Sequence, residues 1–375
     1  MSTTADLSWD QVLSWRMDRH LLDRPAGRDP AEIVSRVAGI QAQVPSSAEQ
    51  ALAVRRSEAA ADVASALADR TLMRTWAMRG TLHLLHSADA PAFLSILASA
   101  RTWQKPTWQR EFATADQMDA IAEAVSDILT GTVLTREELA KAIEDRTGDP
   151  SLAERLTSGW GALLKPLAWQ GLLCNALPEN NRVTFTAPAT WLPTWAGLPS
   201  LDDAARSAVP AYLAAHGPSD APAFNQWIMR GMLRKLLTRG WFDTLAEDGV
   251  LTPVTVEGET LYARTEDLDG LAVATPTDRV RLLPAFDQFV LGPGTKDDRI
   301  LPTARRGWVS RAAGWIAPTV VRGGRIVGTW RVAGSSLSVE LFEETGHVDR
   351  DGIESERAVW ADVLGEKLTT SVTEV

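Results

Sequence analysis

Two glutamines at alternate positions, Gln41 and Gln43, are the side chains whose type and spacing most clearly indicate chemistry. A carboxamide donates through its NH2 group and accepts through its oxygen, so such a pair can hold a polar ligand or a water molecule. An amide that faces a core without a partner loses roughly 1–3 kcal/mol to desolvation, and a bound ligand or water would offset that loss. The alternative is that both amides bond the last free carbonyl groups of a helix.

The glutamines follow a segment with strong helix signals. Asp29 is a suitable N-cap, and Pro30 stands at the first helical position, where its missing N–H costs nothing. Apolar residues then recur at helical spacing: Ile33, Val34, Val37 and Ile40. We therefore predict a helix over residues 30–43 that carries Gln41 on its apolar stripe, with Pro45 ending the segment.

The order of predicted elements repeats three times along the chain, with short helices followed by a two-stranded ribbon. The first unit starts with a capping box at Ser8 and Gln11. Its predicted elements are helices over 8–23, 30–43 and 47–68, a ribbon over 72–86 that turns at Arg79 and Gly80, and a connecting helix near 88–100. The second has a capping box at Thr135, a long helical stretch over 158–176 that Pro166 should bend or start, and a turn at 178–182 flanked by two strands.

The third predicted unit ends in a hairpin over 251–264 that turns at Glu257 and Gly258. Helices followed by a ribbon are typical of winged helices. The remaining segment has strand composition and a closing helix near 352–366. We therefore predict an α+β protein with three tandem winged-helix units, 1–100, 101–198 and 199–270, followed by a β-barrel-like domain or curled sheet over 271–375.

Composition is that of an ordinary globular protein, with 375 residues, 45% hydrophobic and 23% charged. Cys174 is the single cysteine and lies in an apolar run, so we expect a core residue and no disulfide within the chain. The five histidines lack metal-site spacing, and no metal is expected. The start is polar and acidic, and no apolar run has membrane-spanning length. We expect a cytoplasmic monomer.

Charge is unevenly distributed in a chain whose net charge is −10. The stretch from Arg299 to Arg331 contains no acid, whereas the tail after Val339 is predominantly acidic. A basic face on an acidic body can bind a phosphate backbone. The candidates in this stretch are Arg305, Arg306, Arg322 and Arg325. The alternative is a solvated basic surface without a ligand.

Three further segments carry a resemblance: RTWAMRGTLHLL (74–85), LLPAFDQFVLG (282–292) and PTVVRGGRIVGTWR (318–331). Together with the QAQ triplet, the chain resembles the AlkZ/YcaQ-like family of winged-helix DNA glycosylases, which remove alkylated bases. The resemblance extends from about residue 8 to about 365 and implies that Gln41 and Gln43 are catalytic. The YcaQ-like branch has an acid at the second position, so the amide of Gln43 places the chain nearer the AlkZ branch.

The resemblance implies double-stranded DNA with an N7- or N3-alkylated purine as substrate. Alkylation makes the base cationic and therefore a good leaving group, so little acid catalysis is needed. Glutamine is no general base at neutral pH, but Gln41 and Gln43 can orient a water beneath the sugar. We expect a monofunctional base-excision repair glycosylase without a cofactor. An open site would accept bulky adducts or interstrand crosslinks, with self-resistance to a DNA-alkylating natural product as a further expectation.

Other side chains are candidates for DNA contact or site support. Arg79, Thr81 and His83 stand at alternate positions of the first ribbon and hence on one predicted face; the alternative is a half-buried strand face. The second unit contributes Lys165 and Gln170 on its long helix and Arg182 in its wing, with Trp169 expected in the core. Asp287 is an acid in apolar strand surroundings, for which we predict a structural or site role.

Two other functions fit the same pattern. A non-catalytic winged-helix regulator would bind DNA, and a protein scaffold would use the winged helices for protein contacts. A regulator has no evident need for both Gln41 and Gln43. A scaffold would not bind DNA in a salt-dependent manner, so that measurement separates it from the others.

Overall fold

The computed structural model describes residues 6–24, 28–56, 63–157 and 161–375. The fold is mixed α+β, as predicted. The first hundred residues contain five helices and three strands within the described ranges. They are α1 (Trp9–Arg19), α2 (Pro30–Arg36), β1 (Ile40–Gln41), α3 (Pro45–Arg56), α4 (Val63–Ala68), β2 (Leu72–Trp76), β3 (Leu82–His86) and α5 (Ala90–Ser99).

The helix predicted over 30–43 is wrong beyond its first two turns. Helix α2 ends at Arg36, and the chain reverses through the left-handed conformations of Ala38 (φ 56°) and Gly39 (φ 95°). A Cβ atom on Gly39 would lie 2.7 Å from Leu85 Cδ2, so the close approach to β3 requires glycine. Gln41 therefore lies on a strand and does not extend the helical stripe.

Other predictions for this region agree better with the structure. The Ser8–Gln11 capping box is present at the start of α1, and β2 and β3 form the predicted ribbon. Helix α5 matches the predicted connecting helix. Of the helix predicted over 47–68, residues 57–62 lie outside the described residues, and α3 and α4 stand on either side.

The next hundred residues begin with short helices and end with a second ribbon. Their elements are α6 (Pro106–Glu111), α7 (Ala115–Ile128), β4 (Leu134–Thr135), α8 (Arg136–Thr147), α9 (Pro150–Thr157), α10 (Leu164–Trp169), β5 (Cys174–Asn175), β6 (Thr184–Thr186) and α11 (Pro188–Trp191). The Thr135 capping box is confirmed. The helical stretch predicted over 158–176 is too long: residues 158–160 lie outside the described residues, α10 begins at Leu164, close to the start offered by Pro166, and the chain leaves α10 through Gly171 (φ 70°) before β5.

The first two ribbons join in one sheet of six strands, in the order β1-β3-β2-β5-β6-β4. Its centre is apolar: Trp76 of β2 stacks on Phe185 of β6 with ring centroids 5.9 Å apart, and Cys174 is buried as expected. This sheet crosses the predicted unit boundary at residue 100. The elements that precede and follow the boundary therefore share one core.

The third region has the hairpin predicted over 251–264. It contains α12 (Leu201–His216), α13 (Ala221–Met229), α14 (Lys235–Glu247), β7 (Leu251–Val256), β8 (Glu259–Arg264) and α15 (Leu268–Val273). The hairpin turns at Glu257 and Gly258, both with positive φ. Helix α12 packs against α5 and so ties this region to the first.

The C-terminal region forms an open sheet, so the predicted barrel is wrong. Its elements are β9 (Val280–Leu283), α16 (Gln288–Leu291), α17 (Arg306–Val309), β10 (Thr319–Arg322), β11 (Arg325–Ala333), β12 (Ser336–Leu341), α18 (Arg350–Leu364) and β13 (Thr369–Glu374). The strand order β13-β12-β11-β10-β9 leaves β13 and β9 as opposite edges. Helix α18 packs on the sheet through Trp360, whose ring centroid lies 4.3 Å from that of Trp330. With α18 packed on the sheet, the strands need no closure to bury this apolar surface.

Candidate active site and nucleic-acid interface

Gln41 lies in a lateral row of polar side chains across three strands. Strand register pairs Gln41 with His83 and His83 with Thr75, and residues directly opposite each other project from the same face of a sheet. Gln41 is 6% exposed, and His83 and Thr75 are fully buried. The Gln41 carboxamide has no hydrogen-bond partner among the described residues. Its hydrogen-bonding groups are therefore free to bind a ligand or a water.

Gln43 occupies a different environment two residues later. Ala42 N donates to Leu82 O over 2.7 Å, which extends the β1–β3 pairing by one bond. Leu82 N then donates to Gln43 Oε1 over 3.3 Å, and the Gln43 side chain is exposed. The two glutamines are thus one buried and one exposed amide on the same edge of the sheet. Neither bonds the free carbonyl groups of α2, so the alternative of a helix cap does not apply.

His83 is a neutral imidazole beside Gln41. Its Nδ1 lies 2.9 Å from Thr81 O, so Nδ1 carries the proton and donates it, which leaves Nε2 as an acceptor. Nε2 is buried without a partner among the described residues. Burial, and secondarily the charge of Arg79, lowers the pKa of His83 to about 3. This side chain therefore offers a hydrogen-bond acceptor and no charge at neutral pH.

Arg79 and Thr81 belong to the turn before β3, so the prediction that they share a strand face with His83 is wrong. Arg79 has a left-handed backbone (φ 59°), and its Nη1 donates to Trp227 O over 3.1 Å. Its Nη2 is buried without a partner in the described structure. Burial and then Arg230 lower the pKa of Arg79 to about 10. Thr81 Oγ1 donates within the turn, to Met78 O over 3.2 Å.

Helix α10 packs against this turn. A methyl group on Gly80 would lie 3.7 Å from Lys165 Cδ and 3.7 Å from Trp169 Cζ2, and Trp169 is buried as predicted. Burial, followed by the charge of Arg230, lowers the pKa of Lys165. The predicted candidates Arg79 and Lys165 are therefore brought together. Arg230, which was not a candidate from the sequence, is the third cation at this point.

Two other candidates from the second unit lie apart from this cluster of cations. Gln170 Nε2 donates to Pro166 O over 3.0 Å, so its amide caps α10. Arg182 is exposed in the turn of the second ribbon, directly after Asn181, whose backbone is left-handed (φ 63°). Arg182 is thus accessible to a ligand, whereas the Gln170 amide already donates within its own helix.

Two of the four candidate C-terminal arginines are bonded to neighbouring loops and acids. Arg305 makes two bonds of 2.7 Å to Glu344. Arg322 donates to the carbonyl oxygens of Thr345, over 2.8 Å, and His347. Arg322 on β10 and Arg305 in the turn before α17 thus both hold the segment after β12.

A third candidate in this stretch also bonds within the chain. Arg325 donates to Asp10 and to the carbonyl oxygen of Arg299, both over 2.7 Å. Arg306 is exposed and has no ion-pair or side-chain hydrogen-bond partner within the described ranges. Most of the positive charge predicted here is therefore compensated by acids and carbonyl groups from other parts of the sequence.

Asp287 has a structural role and does not lie in a strand as predicted. Its Oδ1 accepts from Phe289 N over 2.9 Å, which caps α16. Both carboxylate oxygens also accept from Arg55 over 2.7 Å, and the side chains of this pair are fully buried. Arg55 stands on α3, the helix that follows the glutamine segment. The ion pair therefore fixes α3 to the C-terminal region.

Sequence reasoning missed a basic surface around the start of α14. Arg230, Arg234, Lys235 and Arg239 are all exposed, and Leu236 among them is 83% exposed. The signal is present in the sequence, because no acid occurs between Asp220 and Asp243. The longer arginine stretch near the C-terminus is the more conspicuous of the two.

The described residues include no group of three or more His, Cys, Asp and Glu side chains placed to hold a metal ion. Within the same ranges, no helix has the length and apolar character needed to cross a membrane.

Comparison with known proteins places the chain in a family. The model of a family described as DNA glycosylase AlkZ-like matches residues 34–363, and the chain belongs to that family. It is 43% identical over 363 residues to an interstrand DNA cross-link repair glycosylase of Streptomyces sahachiroi, covering 96% of this chain and 97% of the relative. The solved structure of Streptomyces sahachiroi DNA glycosylase AlkZ superposes with a TM-score of 0.94 at 41% identity, covering 98% and 100% of the two chains. The resemblance seen in the sequence motifs is confirmed.

Proposed function

We propose that the protein is a monofunctional DNA glycosylase that hydrolyses the N-glycosidic bond of alkylated purines, N7-alkylguanines above all, in double-stranded DNA. Its family membership supports the glycosylase activity. The relative at 43% identity is named as an interstrand cross-link repair glycosylase, which supports crosslinked bases as substrates. Such an activity fits self-protection in a cell that makes a DNA-alkylating natural product.

The observation that carries the proposal is the environment of the glutamine pair. Gln41 is buried beside the neutral His83, and its amide has no partner among the residues that the structure describes, while Gln43 is exposed two residues away. We assign Gln41 to holding a water molecule at the sugar and Gln43 to contact with the sugar or phosphate. Neither amide acts as a general acid or base at neutral pH, so the pair works by positioning its ligands.

The chemistry matches a leaving group that is already activated. Water attacks C1′ as the C1′–N9 bond breaks, and the bonding electrons neutralise the cationic alkylated base. The proton released by the water passes to solvent. No general acid is required, which agrees with a site whose one buried histidine at Gln41 is uncharged. An undamaged purine would need protonation, so the weak catalyst is itself selective.

An exposed glutamine also fits large lesions. Many glycosylases rotate the target base into a pocket, which a bulky or crosslinked base cannot do. Because Gln43 lies at the surface, the lesion can remain in the duplex while the enzyme approaches through a groove. We propose that Lys165, Arg182 and Arg306 contact the phosphate backbone, and that the buried Arg79 adds positive charge beside them. A monomer in the cytoplasm, associated with the nucleoid through DNA, is the proposed state.

The decisive experiment is base release from a duplex with one N7-alkylguanine under single-turnover conditions. We expect release by the native chain and a loss of at least 10²-fold in Gln41→Ala/Gln43→Ala, comparable to removing an oriented catalytic group. Gln109→Ala on α6, whose amide bonds Gln104 O, is the matched control and should retain full activity.

A second result would favour a different function. If the native chain binds the duplex with strong salt dependence but releases no base, a DNA-binding regulator becomes the better description. If the double variant releases base as fast as the native chain, the glycosylase stands and the glutamine site is refuted.

A further inference from the structure

The turn between α13 and α14 is a rigid platform for the basic surface at the start of α14. Asn225 Nδ2 donates to Leu233 O over 3.0 Å, and Asn225 Oδ1 accepts from Leu233 N over 3.1 Å. The turn enters through the left-handed residues Arg230 (φ 53°) and Gly231 (φ 76°). Both backbone groups of Leu233 are therefore fixed by one buried amide. Side chains that project from this turn start from a defined position.

We define the α14 surface as Arg230, Arg234, Lys235, Leu236 and Arg239. In the described parts of the chain, none of its four cations has a carboxylate within ion-pair distance. Some exposed cations elsewhere are paired, for example Arg146 with Asp127, whereas others such as Arg306 stand singly. An acidic protein that leaves four cations together without counterions presents a local field that attracts an anion.

The same surface continues into the candidate active site. Burial, and then the positive charge of Arg230, lowers the pKa of both Arg79 and Lys165. Arg79 in turn bonds the carbonyl oxygen of Trp227 at the end of α13. The turn that contains Arg79 leads into β3, whose first residue bonds Gln43. Cations therefore extend from the α14 surface to the turn beside Gln43, so a polyanion on this surface would lie close to the glutamines.

Leu236 gives this surface an apolar tip. It is 83% exposed, although the opposite side of α14 is well buried through Thr238, Trp241, Phe242 and Leu245. Met232 in the preceding turn is 41% exposed. An apolar side chain among cations matches a DNA groove, where it can contact a thymine methyl group or wedge between base steps while its neighbours contact phosphates.

We propose that the α14 surface docks on duplex DNA, with Arg230, Arg234, Lys235 and Arg239 on phosphates and Leu236 in a groove. The proposal adds a contact outside the glutamine site and rests on the proposed function only in taking DNA as the partner. The unneutralised cations favour DNA over a second protein chain. Binding to undamaged duplex tests it without reference to base release, so its failure is distinct from failure of the glycosylase activity.

The test is fluorescence anisotropy with an undamaged 20-base-pair duplex over a series of salt concentrations. Arg234→Ala/Lys235→Ala should reduce the slope of log K against log[salt] by about 2, because each substitution frees one phosphate from its cation. Leu236→Ala should weaken binding several-fold at every salt concentration with the slope unchanged, because it removes no charge. Lys141→Ala, an exposed cation paired with Asp145, and Val273→Ala, an apolar residue 76% exposed, are the matched controls.

Each outcome decides the proposal. The proposal is overturned if Arg234→Ala/Lys235→Ala has the same salt slope as the native chain while circular dichroism shows an intact fold. A loss of affinity in Val273→Ala equal to that in Leu236→Ala would overturn the groove assignment. If DNA binding is unchanged but Leu236→Asp converts an oligomer to a monomer in sedimentation, the surface belongs to contact between copies of the chain.

Discussion

The two most basic regions of the molecule use their charge in opposite ways. The stretch from Arg299 to Arg331 is longer and richer in arginine, yet Arg305 and Arg325 are bonded to Glu344 and Asp10. The α14 surface has fewer cations, and within the described ranges they lack carboxylate partners. Charge counted along a sequence is therefore not the charge offered to a ligand. The charge that is available depends on whether acids from distant parts of the sequence pair with the cations in the folded structure.

This difference separates cations that hold the fold together from cations that remain free for a partner. The extreme case of the first kind is Arg55, which is fully buried and bonded twice to Asp287. The exposed ion pairs of the C-terminal region also stabilise the fold, but each contributes less than the buried pair. If the distinction is correct, substitutions in the two groups should affect different measurements.

The largest effect is expected from breaking the buried pair. Asp287→Asn leaves the Arg55 guanidinium charged, buried and without its counterion, which should lower the free energy of unfolding by about 3–5 kcal/mol. The denaturant midpoint measures it, with Asp145→Asn in the exposed Lys141 pair as a control expected to cost less than about 1 kcal/mol. Equal losses of unfolding free energy in both variants would show that burial does not increase the cost of removing the counterion.

A double comparison of arginines tests the contrast directly. Arg230→Ala/Arg239→Ala should lower the salt slope of DNA binding by about 2 and leave the denaturant midpoint unchanged. Arg322→Ala/Arg325→Ala should do the reverse, lowering stability by about 1 kcal/mol by removing bonds to carbonyl and carboxylate groups while the slope is preserved. A reduced slope in the second variant would mean that DNA displaces the intrachain partners.

The sequence predicted those elements whose signals lie within a few residues of each other, and it failed where a distant contact shapes the chain. The capping boxes at Ser8 and Thr135 and the hairpin turn at Glu257 are set by residues within four positions of each other, and all three are present. The helix predicted over 30–43 fails because the chain reverses at Ala38 and Gly39, where Leu85 of β3 approaches closely, and apolar periodicity does not indicate this reversal. The predicted barrel fails because α18 packs on the sheet and β13 pairs only at its edge.

The candidate site divides in the same way. Gln41 and His83 could be selected from residue type and motif, and strand register brings them together. The role of Asp287 depends on Arg55, which is 232 positions away, so no local pattern indicated a buried ion pair. The α14 surface could have been found from the interval without acids, but its accessibility could not, since that depends on which acids fold toward it.

The smallest effect is expected at the exposed pair of Arg305 and Glu344, where pH sharpens the contrast. The hydrogen bonds from Arg305 lower the pKa of Glu344 to about 2, below its ordinary value of 4.5. The folded state therefore binds fewer protons than the unfolded state between these values, so the stabilisation is present above about pH 4.5 and is lost as the pH falls toward 2. Because the carboxylate is 44% exposed, the contribution at neutral pH should be below about 1 kcal/mol.

The stability that the pair contributes is the gap between the urea midpoints of the native chain and Arg305→Ala, measured from pH 7 to pH 2.5. The gap between them should narrow steadily below pH 4.5, and DNA affinity at pH 7 should be the same for both. Glu344→Gln keeps Arg305 but removes the titrating group, so its stability relative to the native chain should follow the same narrowing. A gap that stays constant with pH would mean that Arg305 stabilises the fold mainly through its stacking on Phe342, 4.9 Å from the ring centroid, which does not titrate.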